Sequence, residues 1–557
     1  MTAIQMPAFP GSKPIIIGRI FVKEQDSVTA GQDILEAETG KGVKVIKAAA
    51  DGVVDKILCA KGDTCIAGTE LVIVKENQTA ESKTEEKAAE AVTEHADILI
   101  IGGGPGGYVA AIYAAQHGKS VILAERNALG GTCLNVGCIP TKTLIKSAEV
   151  LDEIRHASDF GIVADTAVHA DMNAIIDRKN KVVRKLVAGI SYLMKKNNIK
   201  VISGDASLSE AHTAVIASKD AAVTVTADAV IIATGSATAV PRIPGIDLPC
   251  VYDSTAALDS RTLPASITII GGGVIGMEFA FLYRNLGAEV NVIEFMDRLL
   301  GKTDLDVSEE VHRIAEKRGI KIHLSSGVEK IQEDENHQAV ITYSNNGTEH
   351  LVVSEKVLSA VGRIPMMEGI DAEGLKLELN AKGRGIYVDS HMRTNLEKVY
   401  AIGDVTNIMQ LAHAASYQAV VAVNDILGIP DEADYSCVPS VIFTDPEAAS
   451  VGLSQEEAQQ KGMDITVSRF DFSANGKAVS QGSIRGFVKL IKDNKNNQII
   501  GCAMIGPDAS VLISTAATAI QNHLDTDAFL SVIFPHPTTG EVLHEAALGL
   551  SGKSLHS

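Results

Sequence analysis

The sequence predicts a mixed α/β fold in which two nucleotide-binding βαβ units follow a small all-β domain. Apolar runs of strand length at 97–101 and 266–270 each lead into a glycine-rich motif and a helical segment. Each unit ends in an acid, Glu125 or Glu294, 23 residues after its first motif glycine. A third observation is an internal repeat of short β-type runs within residues 1–75. Together they predict two Rossmann-like units behind an all-β module.

The composition argues against several classes of function. The chain has 557 residues, enough as a soft prior for about three to four domains, and a formal net charge of −19. That charge and the lack of Trp argue against a nucleic-acid partner. No signal-peptide pattern opens the sequence, and no run approaches the ~20 apolar residues that span a bilayer, so we expect no transmembrane segment. Seven cysteines, an odd number, fit a reducing cytoplasm, where we expect the protein to reside.

The N-terminal repeat has an offset of 37 residues, so that 26–35 aligns with 63–72. Between the copies lies Lys41, and the glycines on both sides of it are typical of a tight hairpin tip. Residues 1–75 resemble a lipoyl domain, a flattened barrel or sandwich, which implies a covalent lipoyl group on Lys41. A biotin carrier is an alternative, but such domains place Met on both sides of the lysine. An ordinary surface lysine in a turn is the other alternative.

Residues 76–95 are rich in Glu, Lys, Thr and Ala and have almost no large apolar side chains. Such a segment cannot bury a core, so we predict a flexible linker. Random-coil scaling gives it an r.m.s. reach of roughly 25 Å. That reach suits an arm that moves a carrier domain between partners.

The two βαβ units have the residues that dinucleotide binding needs. The first glycine permits a tight turn, the second lets the pyrophosphate approach the backbone, and the third lets helix and strand pack closely. The helix N-terminus attracts the diphosphate, and the terminal carboxylate accepts hydrogen bonds from ribose hydroxyls. The predicted residues are Gly102, Gly104, Gly107 and Glu125 in the first unit, and Gly271, Gly273, Val274, Ile275, Gly276 and Glu294 in the second.

The residues after each acid separate the two cofactors. Glu294 would repel the 2′-phosphate of NADP, and no basic residue follows at Phe295 or Met296, although Arg298 is near. The second unit is therefore predicted to bind NAD. The first unit precedes two cysteines that could exchange electrons with a bound cofactor, and we predict that it holds FAD.

Those cysteines, Cys133 and Cys138, have four residues between them. A regular helix would set positions i and i+5 about 140° apart around its axis, whereas a disulfide needs Cα atoms within roughly 7 Å. The helix must therefore be distorted, and Gly137 and Pro140 are the candidate causes. A zinc site is the alternative, but no further ligand lies at suitable spacing. We interpret the pair as redox-active.

Several motifs occur in an order that identifies a family. They are GGTCLNVGCIPTK at 130–142, the two glycine motifs, Ala233-Thr234-Gly235, Ala401-Ile402-Gly403-Asp404 and His536-Pro537-Thr538-Thr539-Gly540-Glu541. From residue 96 to about 550 the chain resembles the flavin-dependent disulfide oxidoreductases, and among them the dihydrolipoamide dehydrogenases.

This resemblance implies a domain layout and a set of partners. The implied domains are an FAD-binding domain (96–235), an NAD-binding domain (236–364), a second part of the FAD domain (365–430) and an α+β dimerisation domain (431–557). The enzyme would be a homodimer and would oxidise the dihydrolipoamide of the acyltransferase (E2) component of a 2-oxo acid or acetoin dehydrogenase complex. Which complex it serves stays open.

The resemblance also implies roles for single residues. Cys133 resembles the interchange thiol and Cys138 the thiol against the flavin. The partner subunit's His536 would be the acid/base, oriented by Glu541. Lys142 resembles the lysine beside the flavin, with Glu278 as its salt-bridge partner. The implied FAD contacts also include Gly131, Thr132, Ala206, Thr234, Gly235, Asp404 and Ala412, and the NAD contacts include Glu278, Val328, Ala360, Gly362 and, by loop position, Arg363.

Three alternative functions make different demands on the same residues. Glutathione reductase would need basic residues for the NADP phosphate where Glu294 stands. Mercuric reductase would need a C-terminal cysteine pair, but the last cysteine is Cys502. A lipoyl carrier or scaffold with a secondary flavin domain would not need the cysteines, His536 or the glycine motifs.

Overall fold

A computed structural model describes residues 2–6, 15–29, 32–39, 42–48, 52–65, 69–75, 92–163, 168–218, 221–381 and 383–556. The chain divides into two compact units, Met1–Glu90 and Ala91–Ser557. The predicted mixed α/β fold, with an N-terminal all-β module, is confirmed.

The N-terminal unit consists of two four-stranded antiparallel sheets with the orders β1-β8-β6-β3 and β5-β4-β2-β7. Its strands are β1 (Thr2–Gln5), β2 (Ile15–Ile20), β3 (Ser27–Val28), β4 (Asp33–Thr39), β5 (Gly42–Lys47), β6 (Gly52–Ile57), β7 (Thr64–Cys65) and β8 (Glu70–Lys75). One apolar cluster, which includes Ile17, Leu35, Val54 and Val72, joins the two sheets. The sequence repeat is visible in this core, because Val22 and Val28 of one copy correspond to Cys59 and Cys65 of the other.

The first nucleotide-binding unit contains a sheet of order β11-β10-β9-β14-β13-β12. Its elements are β9 (Val92–Ile101), α1 (Pro105–Gln116), β10 (Val121–Glu125), α2 (Gly131–Val136), α3 (Cys138–Arg155), α4 (Met172–Lys196), β11 (Lys200–Ser203), β12 (Asp205–Glu210), β13 (Thr213–Ala217) and β14 (Ala222–Ile232). The strands β10, β9 and β14 are parallel, and residues 98–101, 121–124 and 229–232 in them are buried, as a sheet covered on both faces requires.

Strand β9 begins earlier than the sequence predicts. Residues 92–95, expected to belong to the linker, pair in parallel with β14, from Val92 opposite Val223 to His95 opposite Thr226. The polar residues that indicated a linker make specific contacts here: Glu94 forms an ion pair with Lys200, and His95 Nδ1 lies 3.1 Å from Thr226 Oγ1. The prediction that the linker extends to His95 is therefore wrong. The sequence did not indicate the longer strand because its partner lies about 130 residues away, beyond any local pattern.

The second unit leaves and re-enters the first through a two-stranded ribbon, β15 (Ser236–Thr238) with β24 (Arg363–Pro365). Between them lie β16 (Val251–Asp253), α5 (Ser254–Asp259), β17 (Ser266–Ile270), α6 (Val274–Leu286), β18 (Glu289–Ile293), α7 (Leu305–Lys317), β19 (Lys321–His323), β20 (Ser326–Glu333), β21 (Ala339–Asn345), β22 (Thr348–Ser354) and β23 (Lys356–Ser359). The parallel sheet has the order β16-β23-β17-β18-β19, and β20-β21-β22 form an antiparallel sheet beside it.

The chain then completes the first unit with β25 (Val399–Ala401), which pairs with β14, and α8 (Ala412–Leu427). The C-terminal region is an antiparallel sheet of order β26-β27-β30-β29-β28 with helices on it. Its elements are β26 (Ser440–Ile442), β27 (Ala448–Gly452), α9 (Gln455–Gln460), β28 (Ile465–Asp471), α10 (Gly476–Ser480), β29 (Phe487–Asp493), β30 (Ile499–Ile505), α11 (Ala509–Gln521), α12 (Thr526–Leu530) and α13 (Glu541–Leu550). Across the described residues, no helix is both long and apolar enough to cross a membrane.

Candidate active site

The glycine motif of the first unit joins β9 to α1 by a turn that only glycine allows. Gly102 has φ +107°, and a Cβ there would lie 2.3 Å from the Ala233 carbonyl oxygen. A Cβ on Gly107 would lie 1.8 Å from the Gly102 carbonyl oxygen, so α1 packs directly against the turn. Gly104 caps α1 without a side-chain hydrogen bond, and a Cβ there would meet only Gly131 Cα, at 3.9 Å. The helix N-terminus is therefore open to an anionic ligand.

The second unit repeats this arrangement. Gly271 has φ +108°, and a Cβ on Gly276 would lie 1.9 Å from the Gly271 carbonyl oxygen. Nothing lies within 4 Å of a Cβ built on Gly273, the residue that caps α6. Val274 and Ile275 form the first turn of that helix. Both helix N-termini therefore have the space and the backbone that a pyrophosphate needs.

The two acids occupy equivalent places. Glu125 Oε2 accepts from Gly103 N at 2.7 Å, and Glu294 Oε2 accepts from Gly272 N at 2.5 Å. The second oxygen of each carboxylate accepts from the backbone two residues on, Asn127 N at 2.8 Å or Met296 N at 2.7 Å. These bonds hold each carboxylate beside its glycine motif, where a ribose would lie. The residues present thus fit one dinucleotide in each unit.

The distortion predicted between the two cysteines lies at Gly137. Helix α2 ends at Val136, Gly137 has φ −143° and ψ −113°, and α3 begins at Cys138. A Cβ on residue 137 would lie 2.9 Å from the Thr132 carbonyl oxygen, so a larger residue would collide with the preceding turn. Pro140 lies in the first turn of α3, where proline is tolerated, and does not cause the break.

Cys133 and Cys138 are free thiols in this structure. Hydrogen bonding from the Cys133 thiol, with help from the positive charge of Lys142, outweighs burial and lowers the pKa of Cys138 to about 7. The same bond and burial raise the pKa of Cys133. The pair therefore keeps its proton on Cys133 and presents Cys138 as the thiolate near neutral pH.

Lys142 lies one turn along α3 from Cys138. Its Nζ is 2.8 Å from both carboxylate oxygens of Glu278, which is buried on α6 of the second unit. The same Nζ lies 4.3 Å from the centre of the Phe443 ring, and Phe443 N donates to Glu278 at 3.1 Å. The first unit, the second unit and the C-terminal region thus meet at this lysine. Phe443 was not singled out from the sequence, which gives no motif for it.

Asp404 belongs to a partly buried chain of hydrogen bonds on the first unit's side. Its Oδ2 accepts from Ser236 Oγ at 2.5 Å, and Arg363 Nε donates to the same hydroxyl at 2.8 Å. Burial raises the pKa of Asp404, against the effects of Ser236 and the Arg363 charge. Arg363 Nη2 also reaches Thr132 Oγ1, at 3.4 Å. Strand β24 thus turns the Arg363 side chain toward the first unit, whereas its loop position had indicated the NAD side.

The other predicted FAD contacts lie on elements around the first motif. Gly131 packs against Gly104, Ala206 is buried on β12, and Ala412 begins α8. Thr234 Oγ1 donates to the Met366 carbonyl oxygen at 2.5 Å, and Gly235 follows it with φ +74°.

The remaining NAD candidates surround the second motif. The Ala360 carbonyl oxygen lies 2.6 Å from a Cβ built on Gly271, so it closes the turn from beneath. Gly362 has φ +118°, and Val328 lies on β20 opposite Tyr343.

His536 and Glu541 lie together at the start of α13. His536 Nδ1 is 2.9 Å from Glu541 Oε1, and Thr538 N donates to Glu541 Oε2 at 2.9 Å. Although burial opposes them, these two bonds hold the pKa of Glu541 below its usual value. The His536 side chain is 78% exposed in the single chain, so its Nε2 is free to face another molecule. Lys41 lies outside the described residues.

Three comparisons with known proteins agree with this geometry. Residues 96–419 match the family model described as pyridine nucleotide-disulphide oxidoreductase, and 438–547 match that family's dimerisation domain. Residues 3–74 match a model for biotin- and lipoyl-type domains, described as biotin-requiring enzyme.

Curated relatives include the dihydrolipoyl dehydrogenase of Bacillus subtilis, 38% identical over 83% of this chain and 100% of that protein. The enzyme of the same name from Chlamydia muridarum is 42% identical over 84% of this chain and 99% of that protein. Among solved structures, the Cu(II) complex of the HOCl-induced flavoprotein disulfide reductase RclA from Escherichia coli matches with a TM-score of 0.74. It is 29% identical and covers 82% of this chain and 99% of that chain.

Proposed function

This chain belongs to the pyridine nucleotide-disulphide oxidoreductases and is an FAD- and NAD-dependent dihydrolipoyl dehydrogenase, and we propose that Cys133 and Cys138 are its redox centre. The observation that carries the proposal is the placement of the two thiols on either side of the break at Gly137, Cys133 in α2 and Cys138 at the start of α3. The opposite directions of their pKa shifts agree with unequal roles. Lys142 and Glu278 surround the same point.

We propose that the thiol chemistry proceeds by exchange. With the pair oxidised, one sulfur of dihydrolipoamide attacks Cys133 Sγ as a thiolate, after His536 has taken its proton. The Cys133–Cys138 bond breaks, and Cys138 leaves as the thiolate that Lys142 stabilises. The second sulfur of the substrate then displaces Cys133 and releases lipoamide. Two protons and two electrons have entered the protein, and Cys133 thiol with Cys138 thiolate is the pattern that the pKa directions favour. Bound FAD would take the electron pair and NAD would accept it as hydride.

His536 can act as the base because Glu541 orients its ring and stabilises its protonated form. An ionised carboxylate at Nδ1 leaves Nε2 as the acceptor and stabilises the imidazolium that forms. Two hydrogen bonds lower the pKa of Glu541 despite opposing burial, so the carboxylate stays charged at the pH of catalysis. We propose that this dyad completes the active site of the partner subunit in a homodimer, which the dimerisation domain supports.

The wider setting is part of the same proposal. The substrate is the dihydrolipoamide of an acyltransferase component of a 2-oxo acid or acetoin dehydrogenase complex in the cytoplasm. Lys41 bears a lipoyl group on the N-terminal unit. The match of residues 3–74 to biotin- and lipoyl-type domains supports that modification.

A steady-state comparison tests the activity. The holoenzyme is assayed with dihydrolipoamide and NAD, and in parallel with glutathione disulfide and NADPH. We expect turnover only in the first assay, because Glu294 lies where a 2′-phosphate would need a cation. Preferred turnover of glutathione disulfide would overturn the proposal.

Subunit mixing tests the shared site. Cys133→Ser and His536→Gln homodimers should each be nearly inactive. When the two are unfolded together and reassembled, a heterodimer contains one site with both an intact thiol pair and an intact dyad, so activity should return to about a quarter of the wild-type value for random pairing. No recovery would show that both residues act within one subunit.

Intact mass tests the N-terminal modification. Protein purified from lipoate-replete cells should be heavier by one lipoyl group, and Lys41→Arg should remove that increment. The neighbouring Lys44→Arg is the matched control and should keep it. An unmodified wild-type mass under these conditions would refute the role of Lys41.

A further inference from the structure

Lys489 is buried on the C-terminal sheet although no step of the thiol chemistry uses it. It lies on β29, and its side chain is 2% exposed. Its Nζ is 2.6 Å from Asp304 Oδ1 and 2.7 Å from Asp306 Oδ2. Asp304 is equally buried, at 1%, whereas Asp306 is 39% exposed. The C-terminal region thus inserts a cation into the second nucleotide-binding unit.

Asp304 terminates the segment that begins after Glu294. It is the N-cap of α7, and its side chain accepts from Asp306 N. Between Glu294 and Asp304 the chain passes beneath the glycine motif, where Leu300 N donates to the Gly272 carbonyl oxygen at 3.0 Å. The fully buried Leu299 fills the space where a Cβ on Gly272 would stand. Gly272 N in turn donates to Glu294. Asp304 is therefore connected to the NAD motif through a short chain of packed contacts.

The charges around Asp304 make the position of this carboxylate depend on Lys489. Asp304 Oδ2 is buried and has no hydrogen-bond partner among the residues that the structure describes. Without the lysine, the carboxylate would be a buried charge with one oxygen unpaired and the other held only by backbone N–H, which is strongly unfavourable. The loop that ends at Asp304 would then move to hydrate it.

The opposite end of α7 has its own attachment. Arg318, just after the helix, is 2.8 Å from Asp445 of the C-terminal region and donates to Asn285 Oδ1 at 2.9 Å. Loss of Lys489 should therefore leave α7 docked at its C-terminal end. The displacement should be concentrated at residues 295–304, next to Glu294.

We propose that Lys489 is a positioning residue for NAD: through Asp304 it fixes the loop that supports Gly272 and Glu294. This inference rests on the NAD-binding role of the second unit. It adds to that role a residue of the C-terminal region, about 200 residues away in sequence.

The test compares two buried lysines in the FAD-loaded enzyme. Lys489→Met removes the charge and keeps the length of the side chain. Lys179→Met is the matched control, because Lys179 is also buried, on α4, and forms an ion pair with Asp259 of the second unit. NAD affinity is measured by calorimetric titration. The rate of flavin reduction by dihydrolipoamide is measured separately, in the absence of NAD.

Lys489→Met should weaken NAD binding about 10-fold and leave flavin reduction by dihydrolipoamide within about twofold of wild type. Lys179→Met should lower the melting temperature without weakening NAD binding. Unchanged NAD affinity in Lys489→Met, or equal weakening in both variants, would refute the positioning role.

Should Lys489→Met fail to fold, Asp306→Asn removes only the partly exposed partner, and a smaller weakening of NAD binding is expected. No weakening there would equally refute the inference. A wild-type enzyme that bound NAD but did not oxidise dihydrolipoamide would instead contradict the proposed function, so the two failures are distinguishable.

Discussion

The backbone follows the same path in the two nucleotide-binding units from the glycine motif to a few residues beyond the acid. In the first, Gly130 N donates to the Gly103 carbonyl oxygen at 2.8 Å, and in the second Leu300 N donates to that of Gly272 at 3.0 Å. A leucine lies beneath each of these glycines, Leu129 in one unit and Leu299 in the other. Both units therefore return the chain to the same point under the motif.

Beyond that point the two units differ. In the first unit the chain continues as Gly131, Thr132 and Cys133, so the segment beside the motif carries the thiols. A Cβ on Gly131 would lie 2.7 Å from Gly104 Cα, which means that this segment packs against the ligand-binding turn. In the second unit the chain continues to Asp304, which forms an ion pair with Lys489 of the C-terminal region.

The surroundings of the two acids differ as well. Arg126, next to Glu125, forms ion pairs with Glu368 at 2.7 Å and Asp205 at 3.2 Å. Phe295, next to Glu294, is 77% exposed. The residue after the first acid is therefore held by two ion pairs, whereas the residue after the second acid presents an exposed aromatic ring. One scaffold thus serves two functions, and the segment after the acid decides which.

The largest expected effect tests whether the thiol chemistry belongs to the first unit alone. Cys133→Ser should lower dihydrolipoamide oxidation by at least about 1000-fold, because the attacked sulfur is gone. FAD content and NADH oxidation by an artificial electron acceptor should persist, since the second unit is untouched. Loss of NADH oxidation in this variant would break the comparison, because it would make both units depend on Cys133.

The next effect tests whether each glycine motif serves its own cofactor. Gly276→Ala places a methyl group 1.9 Å from the Gly271 carbonyl oxygen, so the turn must shift. Overpacking of this kind should weaken NAD binding about 10- to 100-fold and leave FAD bound. Gly107→Ala, the equivalent change in the first unit, should release FAD on dilution. The check is FAD content by absorbance together with NAD titration, and the reverse pattern would exchange the two cofactor assignments.

A smaller effect concerns the acids themselves. Glu294→Gln should weaken NAD binding about 10-fold, as expected for loss of a charged hydrogen-bond acceptor, and should reduce the preference for NAD over NADP. Glu125→Gln, its counterpart, should leave the Michaelis constant for NAD unchanged. Steady-state kinetics with both nucleotides measure this. An unaltered ratio of NAD to NADP use in Glu294→Gln would show that selectivity resides elsewhere, with Arg298 as the next residue to change.

The smallest effect is a pKa change within the first unit. Cys133→Ala removes the hydrogen bond that chiefly lowers the pKa of Cys138 to about 7, so that pKa should rise by about one unit or more. At pH 7 the thiolate fraction falls, and alkylation of Cys138 by iodoacetamide in the reduced enzyme should slow about fivefold or more. The Cys133→Ala, Cys138→Ser double variant subtracts alkylation of the other cysteines. An unchanged pH profile would mean that Lys142, and not Cys133, sets the pKa.

The sequence predicted those features that depend on neighbouring residues. The packing of Gly107 and the break at Gly137 follow from what a Cβ would meet within five residues, which is a local property. The turn at Gly102 needs a positive φ, which the glycine motif itself indicates. His536 and Glu541 are five residues apart and meet because the chain turns into α13 at Glu541. Lys142 and Glu278, 136 residues apart, were paired only through the family resemblance.

Features that depend on distant partners were missed. Arg363 was expected on the NAD side because its motif gives its position in sequence but not the direction in which β24 turns its side chain, which is toward Ser236 and Thr132. Lys489 gave one overlooked signal: it shares a strand face with Phe487 and Ile491, where a core residue is expected. Its acidic partners lie 183 or more residues earlier, so no local pattern could identify them.

The ribbon of β15 and β24 has a consequence for engineering. Ser236 lies opposite Pro365 and Thr238 opposite Arg363, so the chain enters and leaves the second unit at adjacent points. Segments whose ends lie close together can be inserted or exchanged without disturbing the host. The residues between the two strands therefore form a replaceable cassette, and grafting the corresponding cassette of an NADP-dependent relative should change the nicotinamide cofactor while the thiols and FAD stay in place.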